Sequence, residues 1–194
     1  MFNKLVQKVV LLLILSFIIS GFPAPSSEAI SLSSKGPVLI SAKQPHKAHK
    51  KSLTVSQLIR KYPDTLKTRG PRVKAVALTF DDVPDPRFTP QLLDVLNKYH
   101  VKATFFVVGN RAKKHPELVS RMVREGHIIG NHSYNHPNFR KLRMKEFKSQ
   151  IIRTENIIQN IAGYKPKLIR PPYGEITEGQ LKWAKSQGYK VINW

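Results

Sequence analysis

Val76-Ala77-Leu78-Thr79-Phe80-Asp81-Asp82 is the stretch on which the reading of the chain turns. Val76, Leu78 and Phe80 fall on one face of an extended chain and Ala77 and Thr79 on the other, the pattern of a largely buried strand. The run ends in two adjacent carboxylates. In α/β architectures, chemistry is assembled at the carboxyl ends of the strands. Neighbouring residues on an extended chain point in opposite directions, so one carboxylate can bind a metal ion while the other faces a substrate. Asp-Asp-Val-Pro-Asp-Pro is also rich in turn formers, and alone it reads as a turn. The residues downstream reverse that judgement.

Downstream, segments of strand and helix period alternate. Strands are expected at 73–80, 103–108, 127–130, 167–170 and from 189 onward. Thr89-Pro90 starts a helix with a Thr N-cap and Pro in the first helical position, ending near Tyr99. His115-Pro116 opens another, stopped by Gly126. Residues 144–162 carry Met144, Phe147, Ile151, Ile158 and Ile161 at helical spacing, with Gly163 behind them. Thr177-Glu178-Gly179-Gln180 is a capping box for a helix to about Gln187. Strands alternating with helices imply an α/β fold of parallel strands joined by right-handed crossovers, with the loops that follow the strands gathered at one end.

Upstream the chain changes character. Lys4 and Lys8 precede an apolar run at 9–19, followed by Gly21, Pro23, Pro25 and Ser27-Glu28-Ala29, with small residues at the −3 and −1 positions of a cleavage site. This is the anatomy of a secretory signal peptide over 1–29. The run is short for a membrane span, and an uncleaved anchor is the alternative, the only route to a membrane that the sequence offers. Residues 30–72 form a basic linker, with His46 and His49 inside it and a short helix at 54–62 capped by Thr54. There is no cysteine among the 194 residues, so no disulfide forms. The formal charge is +21, and the linker holds ten Lys/Arg against Asp64 alone. Such an excess attracts polyanions. No nucleic-acid module is visible, so an exported chain meets anionic cell-wall polymers or lipid headgroups first, and the plainest reading of the charge is solubility and non-specific adhesion. The location follows: secreted or wall-associated.

Three loops at the same end of the expected sheet carry unusual chemistry. They hold Asp81-Asp82, then His132-Ser133-Tyr134-Asn135-His136, then Arg170-Pro171-Pro172-Tyr173-Gly174. Two imidazoles and one carboxylate make a three-ligand set that leaves positions open for water, the pattern of catalytic zinc. A second carboxylate nearby can take a proton from that water. Two His four apart reach one ion if the segment makes a helical turn, although Pro137 disfavours continuing that turn through His136. An isolated HxxxH would read as loop histidines. His127 reads as structural, and His100 and His115 as exposed.

These residues resemble the polysaccharide deacetylases with a NodB-type domain, carbohydrate esterase family four. Thr79-Phe80-Asp81-Asp82, His132 to His136 and Arg170 to Gly174 match that family's first three motifs, in order, over roughly 73–194. The resemblance implies a distorted (β/α) barrel and removal of N- or O-acetyl groups from chitin-like, peptidoglycan or xylan polymers. It implies that Asp82, His132 and His136 bind a divalent metal, usually Zn2+ and sometimes Co2+ or another ion. Asp81 becomes the general base toward water. The Tyr173 backbone N–H helps hold the oxyanion, and Arg170 keeps Asp81 ionised and oriented.

Two departures from the family are visible. Val83 stands where the family usually has Gly; either the turn does not need positive φ there or the site is strained. The family's fourth motif, Asp-rich and ending in Trp or Tyr, and its fifth, Leu-x-His supplying the general acid, are not found. The expectation is therefore an incomplete barrel of about five strands with a metal half-site, and turnover lowered by roughly 100-fold or more. The leading function is a metal-dependent deacetylase of an acetylated polysaccharide. The alternatives are a non-catalytic fragment that binds glycan or anionic wall through its basic surface, and a metal hydrolase acting on another carbon–nitrogen bond.

Overall fold

The computed structural model describes residues 52–194. The expected signal peptide, His46 and His49, and the linker up to Lys51 lie outside the described residues. The first helix, α1 (Val55–Lys61), begins where expected, because Thr54 and Gln57 satisfy each other's backbone N–H groups as a capping box. It is followed by β1 (Leu66–Lys67), β2 (Thr79–Val83), α2 (Thr89–Lys98), β3 (Thr104–Val107), α3 (Gly109–Lys114), α4 (Pro116–Arg124) and β4 (Ile128–Asn131). A 3-10 turn (Phe139–Lys141), α5 (Met144–Ala162), β5 (Leu168–Ile169), a second 3-10 turn (Pro172–Gly174), α6 (Glu178–Ser186) and β6 (Lys190–Ile192) complete it.

The six strands form one parallel sheet in the order β1-β6-β5-β4-β3-β2. Helices return the chain between them, as the alternating pattern requires. This is the barrel-type α/β architecture expected, partly present. Among the described residues it has six strands instead of about five, because β1 falls in the stretch read as linker. Leu66 is 1% exposed and Leu58 0%, so this part of the linker contributes to the core. A two-residue strand in a charged segment has no period by which to be recognised.

The opening stretch differs more. The strand expected at 73–80 begins at Thr79 and runs on through the carboxylates to Val83. Val76 is 84% exposed and Leu78 43%, so the expected buried face is absent there. Among the described residues β2 is an edge strand that pairs only with β3. The pairing begins at Thr79↔Thr104, with Leu78 contributing only a carbonyl to the Thr104 N–H. A smaller correction concerns α2: Phe88 is its N-cap, and Thr89 instead takes the Asp85 N–H on its hydroxyl.

The core lies in two apolar clusters. One packs Leu58, Phe139, Phe147, Ile151, Leu181 and Val191 beneath α1, α5 and α6. The other packs Leu93, Phe105, Val119, Met122 and Ile158 beneath α2, α4 and the C-terminal half of α5. Helix α5 therefore belongs to both. In β4, a Cβ on Gly130 would lie 2.5 Å from the Phe106 ring. Only hydrogen fits there, and the ring it admits carries the Arg170 guanidinium 4.0 Å from its centroid.

Candidate active site

The two carboxylates are splayed by a bulge in β2. Phe80 pairs with Phe105 and Val83 with Val107, so Asp81 and Asp82 together oppose the single residue Phe106. Bulges re-aim side chains at the cost of a ladder pair. Here the positive φ falls on Asp82 (57°). Val83 is buried and rejoins β3 through its carbonyl, which accepts from the Val108 N–H at 2.9 Å. Valine in place of glycine is thus compatible with this turn, because the left-handed residue is the one before it. The Arg111 guanidinium on α3 donates to the Asp82 carbonyl and holds that conformation.

The His132–His136 loop is not a helical turn. Ser133 (φ 71°) and His136 (φ 60°) bend it backward, and side chains take the place of a helix's internal bonds. The Asn131 carboxamide accepts from the Ser133 N–H and donates to the Ile151 carbonyl, both at 2.9 Å. Gln150 on α5 accepts from the Tyr134 and Asn135 N–H groups at 2.9 and 3.1 Å. The Ser133 hydroxyl accepts from the His136 N–H at 2.9 Å.

The His132 ring meets the Arg170 carbonyl through Nδ1 at 2.7 Å. A carbonyl only accepts, so Nδ1 carries the hydrogen and Nε2 keeps a lone pair. Burial pushes the His132 pKa below its ordinary value, against the Arg170 carbonyl and the charges of Asp81 and Asp82, which pull it up. His136 Nε2 lies 3.5 Å from Asp82 Oδ1. Ligand atoms of Asp82, His132 and His136 all lie within 4.8 Å of one another.

The donor set fits a metal. It has two imidazole nitrogens and one carboxylate on separate loops, and one imidazole is already fixed in the ligating tautomer by a carbonyl behind it. It is the only such cluster among the described residues.

Asp81 sits beside this cluster, held by Arg170 Nη1 at 2.8 Å. The same nitrogen donates to the Thr79 hydroxyl at 2.9 Å, and the guanidinium lies between the Phe106 and Trp194 rings. Tyr173 is exposed, its ring packed on that of His136 at 4.9 Å. It adopts φ 59°, followed by Gly174 at φ 66°. No acceptor takes the Tyr173 N–H among the described residues, whereas the Gly174 and Glu175 N–H groups are taken by the Pro171 and Pro172 carbonyls at 3.1 and 3.2 Å. Asn193, just past the end of β6, donates to the Gly174 carbonyl at 3.0 Å and fixes the turn.

All six residues singled out from sequence thus meet on one rim. Arg111, Gln150 and Asn193, which hold that rim, were not anticipated, since nothing in their local sequence marks a contact across the fold. The other described histidines stand apart. His127 is buried and accepts the Ala103 N–H on Nδ1, as its structural reading required. His115 is half-buried and pairs with Glu117 at 3.4 Å. His100 is exposed at the end of α2.

Comparison with known proteins points the same way. Residues 68–192 match the family described as polysaccharide deacetylase. A peptidoglycan-N-acetylglucosamine deacetylase of Bacillus cereus is 56% identical over 126 residues, which are 64% of this chain and 46% of that protein. The peptidoglycan-N-acetylmuramic acid deacetylase PdaC of Bacillus subtilis is 50% identical over 111 residues, 57% of this chain and 24% of that one. This chain spans less than half the length of either. Among solved structures, a peptidoglycan N-acetylglucosamine deacetylase in complex with 4-naphthalen-1-yl-N-oxidanyl-benzamide superposes with a TM-score of 0.66 at 52% identity, covering 66% of this chain and 61% of that one. With the parallel sheet, the rim loops and a match across most of the described residues, the chain belongs to the polysaccharide deacetylase family.

Proposed function

We propose that this domain is a metal-dependent deacetylase that hydrolyses the N-acetyl amide of peptidoglycan or a related N-acetylglucosamine polymer. The observation that carries the proposal is the convergence of Asp82, His132 and His136 on one point, with the ion-paired Asp81 beside them. Asp82, His132 and His136 would hold the ion, with Zn2+ the fit to two imidazoles and a carboxylate and Co2+ or another divalent ion as substitutes. When bound, such an ion polarises a carbonyl and acidifies water.

The chain's own residues supply the rest. Asp81 takes a proton from the attacking water as general base. Arg170 keeps that carboxylate charged and aimed, while its backbone carbonyl holds His132 in the ligating tautomer. The free Tyr173 N–H is placed to donate to the oxyanion.

The protein acts outside the cell in this reading, secreted or held at the wall. The support is the signal-peptide anatomy of residues 1–29 and the surplus of Lys and Arg, which suits anionic wall polymers. No described helix is long and apolar enough to cross a membrane.

The test is zinc-dependent acetate release from chitooligosaccharide and from peptidoglycan. Release abolished by a chelator and restored by zinc supports the proposal. Tight zinc binding with no acetate from either polymer overturns it. A second reading, glycan binding without turnover, draws on the positions of His100, His115 and His127, none of which joins the cluster as a proton donor. Salt-sensitive wall binding without acetate would favour that reading.

A further inference from the structure

We propose that a groove on the outer side of the His132–His136 loop is a subsite for a carboxylate carried by the glycan strand, such as a stem-peptide carboxylate of peptidoglycan. The proposal rests on the deacetylase reading and extends it. The groove lies where α3 and the start of α4 face α5, is open to solvent, and holds about 470 Å³. That volume suits a small polar ligand or one unit of a polymer. Lys113, Tyr134, Arg153, Asn156, Ile157 and Asn160 line it, and no lining residue is acidic.

Its two cations lack carboxylate partners among the described residues, and the acids nearest them in sequence are committed elsewhere. Glu117 pairs with His115 at 3.4 Å. Glu155 pairs with Lys165 at 3.0 Å and also accepts from the Tyr189 hydroxyl. The Arg153 guanidinium is held flat, 3.6 Å above the centroid of the Tyr134 ring. A guanidinium fixed by stacking keeps its fork of N–H groups for a planar anion. Asn156 and Asn160 stand one turn apart on α5 and offer amides to sugar hydroxyls, while the half-buried Ile157 gives an apolar floor.

Position then favours a glycan strand over a free polyanion. Tyr134 belongs to the loop that carries two of the candidate ligands, and its N–H is tied to Gln150 on α5. A strand resting on the Tyr134–Arg153 pair therefore lies against the segment that presents His132 and His136. Its charge would select a carboxylate-bearing strand over a neutral one.

The experiment compares dissociation constants, by calorimetry on the full chain without added metal, for two probes. One is a muropeptide, a disaccharide with its stem peptide; the other is uncharged chitotetraose. The expected result is a preference for the muropeptide that falls about fivefold in a Lys113→Gln/Arg153→Gln double variant, the scale of two exposed ion pairs. Because Arg153 also supports the loop, Lys113→Glu alone, which leaves the stacked pair intact, must lower the same ratio. A ratio unmoved in both variants overturns the subsite. So does an unmoved ratio with loss of binding to poly(glycerol phosphate), which would assign the groove to a phosphate polymer. Binding is read without turnover, so a ratio that falls in a protein releasing no acetate leaves the subsite standing and removes only the reaction.

Discussion

Helix α5 runs for 19 residues from a first turn in which Glu146 accepts the Arg143 N–H to a left-handed glycine at Gly163. The three rim loops beside it are built the other way. Of the five non-glycine residues with positive φ among those described, four lie in them: Asp82, Ser133, His136 and Tyr173. Each such residue costs about 1–2 kcal/mol. In α5, Phe147, Ile151 and Ile158 are fully buried, and each contributes about 1.5–3 kcal/mol. The helix thus offsets strain that the rim accumulates, and Gln150, between two of those anchors, ties the one to the other. Local rules are obeyed where the chain is only being folded and broken where the candidate ligands converge.

The largest effect that would test this division is on stability. Phe147→Ala should cost about 3–5 kcal/mol in urea unfolding, with the zinc affinity of the folded protein unchanged. A parallel loss of affinity would mean that helix and rim are not separable. Asp82→Gly should show the opposite. Zinc affinity, read by chelator competition, should drop on the order of 100-fold or more, since even partners behind a ligand are worth 10- to 100-fold. Stability should instead rise by up to about 1 kcal/mol, because glycine accepts the backbone that aspartate is forced into. Gln150→Leu probes the tie between the regions. It should cost about 1–2 kcal/mol through two unpaired N–H groups and about tenfold in zinc affinity, whereas Gln150→Glu, which keeps the acceptor, should retain most of both.

The smallest effect is on pH dependence. Burial lowers the pKa of both His127 and His132, so the unfolded chain binds protons first as pH falls through about 6.5. Stability should be complete above that value and decline below it, towards the folded-state pKa values. Urea midpoints against pH will show it, with a shallower decline in His127→Gln.

Helix ends were legible because their causes are local. Thr54, Thr177, Pro116 and Gly163 each terminate or cap within four residues. The rim residues were legible because two carboxylates and two imidazoles fall in loops at the same end of the expected sheet, and because their order resembles a known family. The bulge at Asp81-Asp82 was not, since it exists only in register with β3. The exposure of Val76 and Leu78 was hidden for the same reason. An alternating pattern specifies a strand but not how much of it finds a neighbour. Nothing local marks Arg111 or Gln150 in the sequence, and only the fold shows what they reach.

Gly130 has no side-chain donor, acceptor or charge to lend the site, yet the site's geometry passes through it. Its missing methyl lets the Phe106 ring settle against β4, and on that ring rests the guanidinium that grips Asp81. Three parts are stacked in series: an empty space, an aromatic plate and a cation. A single carbon added at the bottom would raise the plate and tilt the grip at the top. A residue with no side chain would then set the angle at which the Asp81 carboxylate is held, and drift or redesign in this strand is confined to hydrogen at that position.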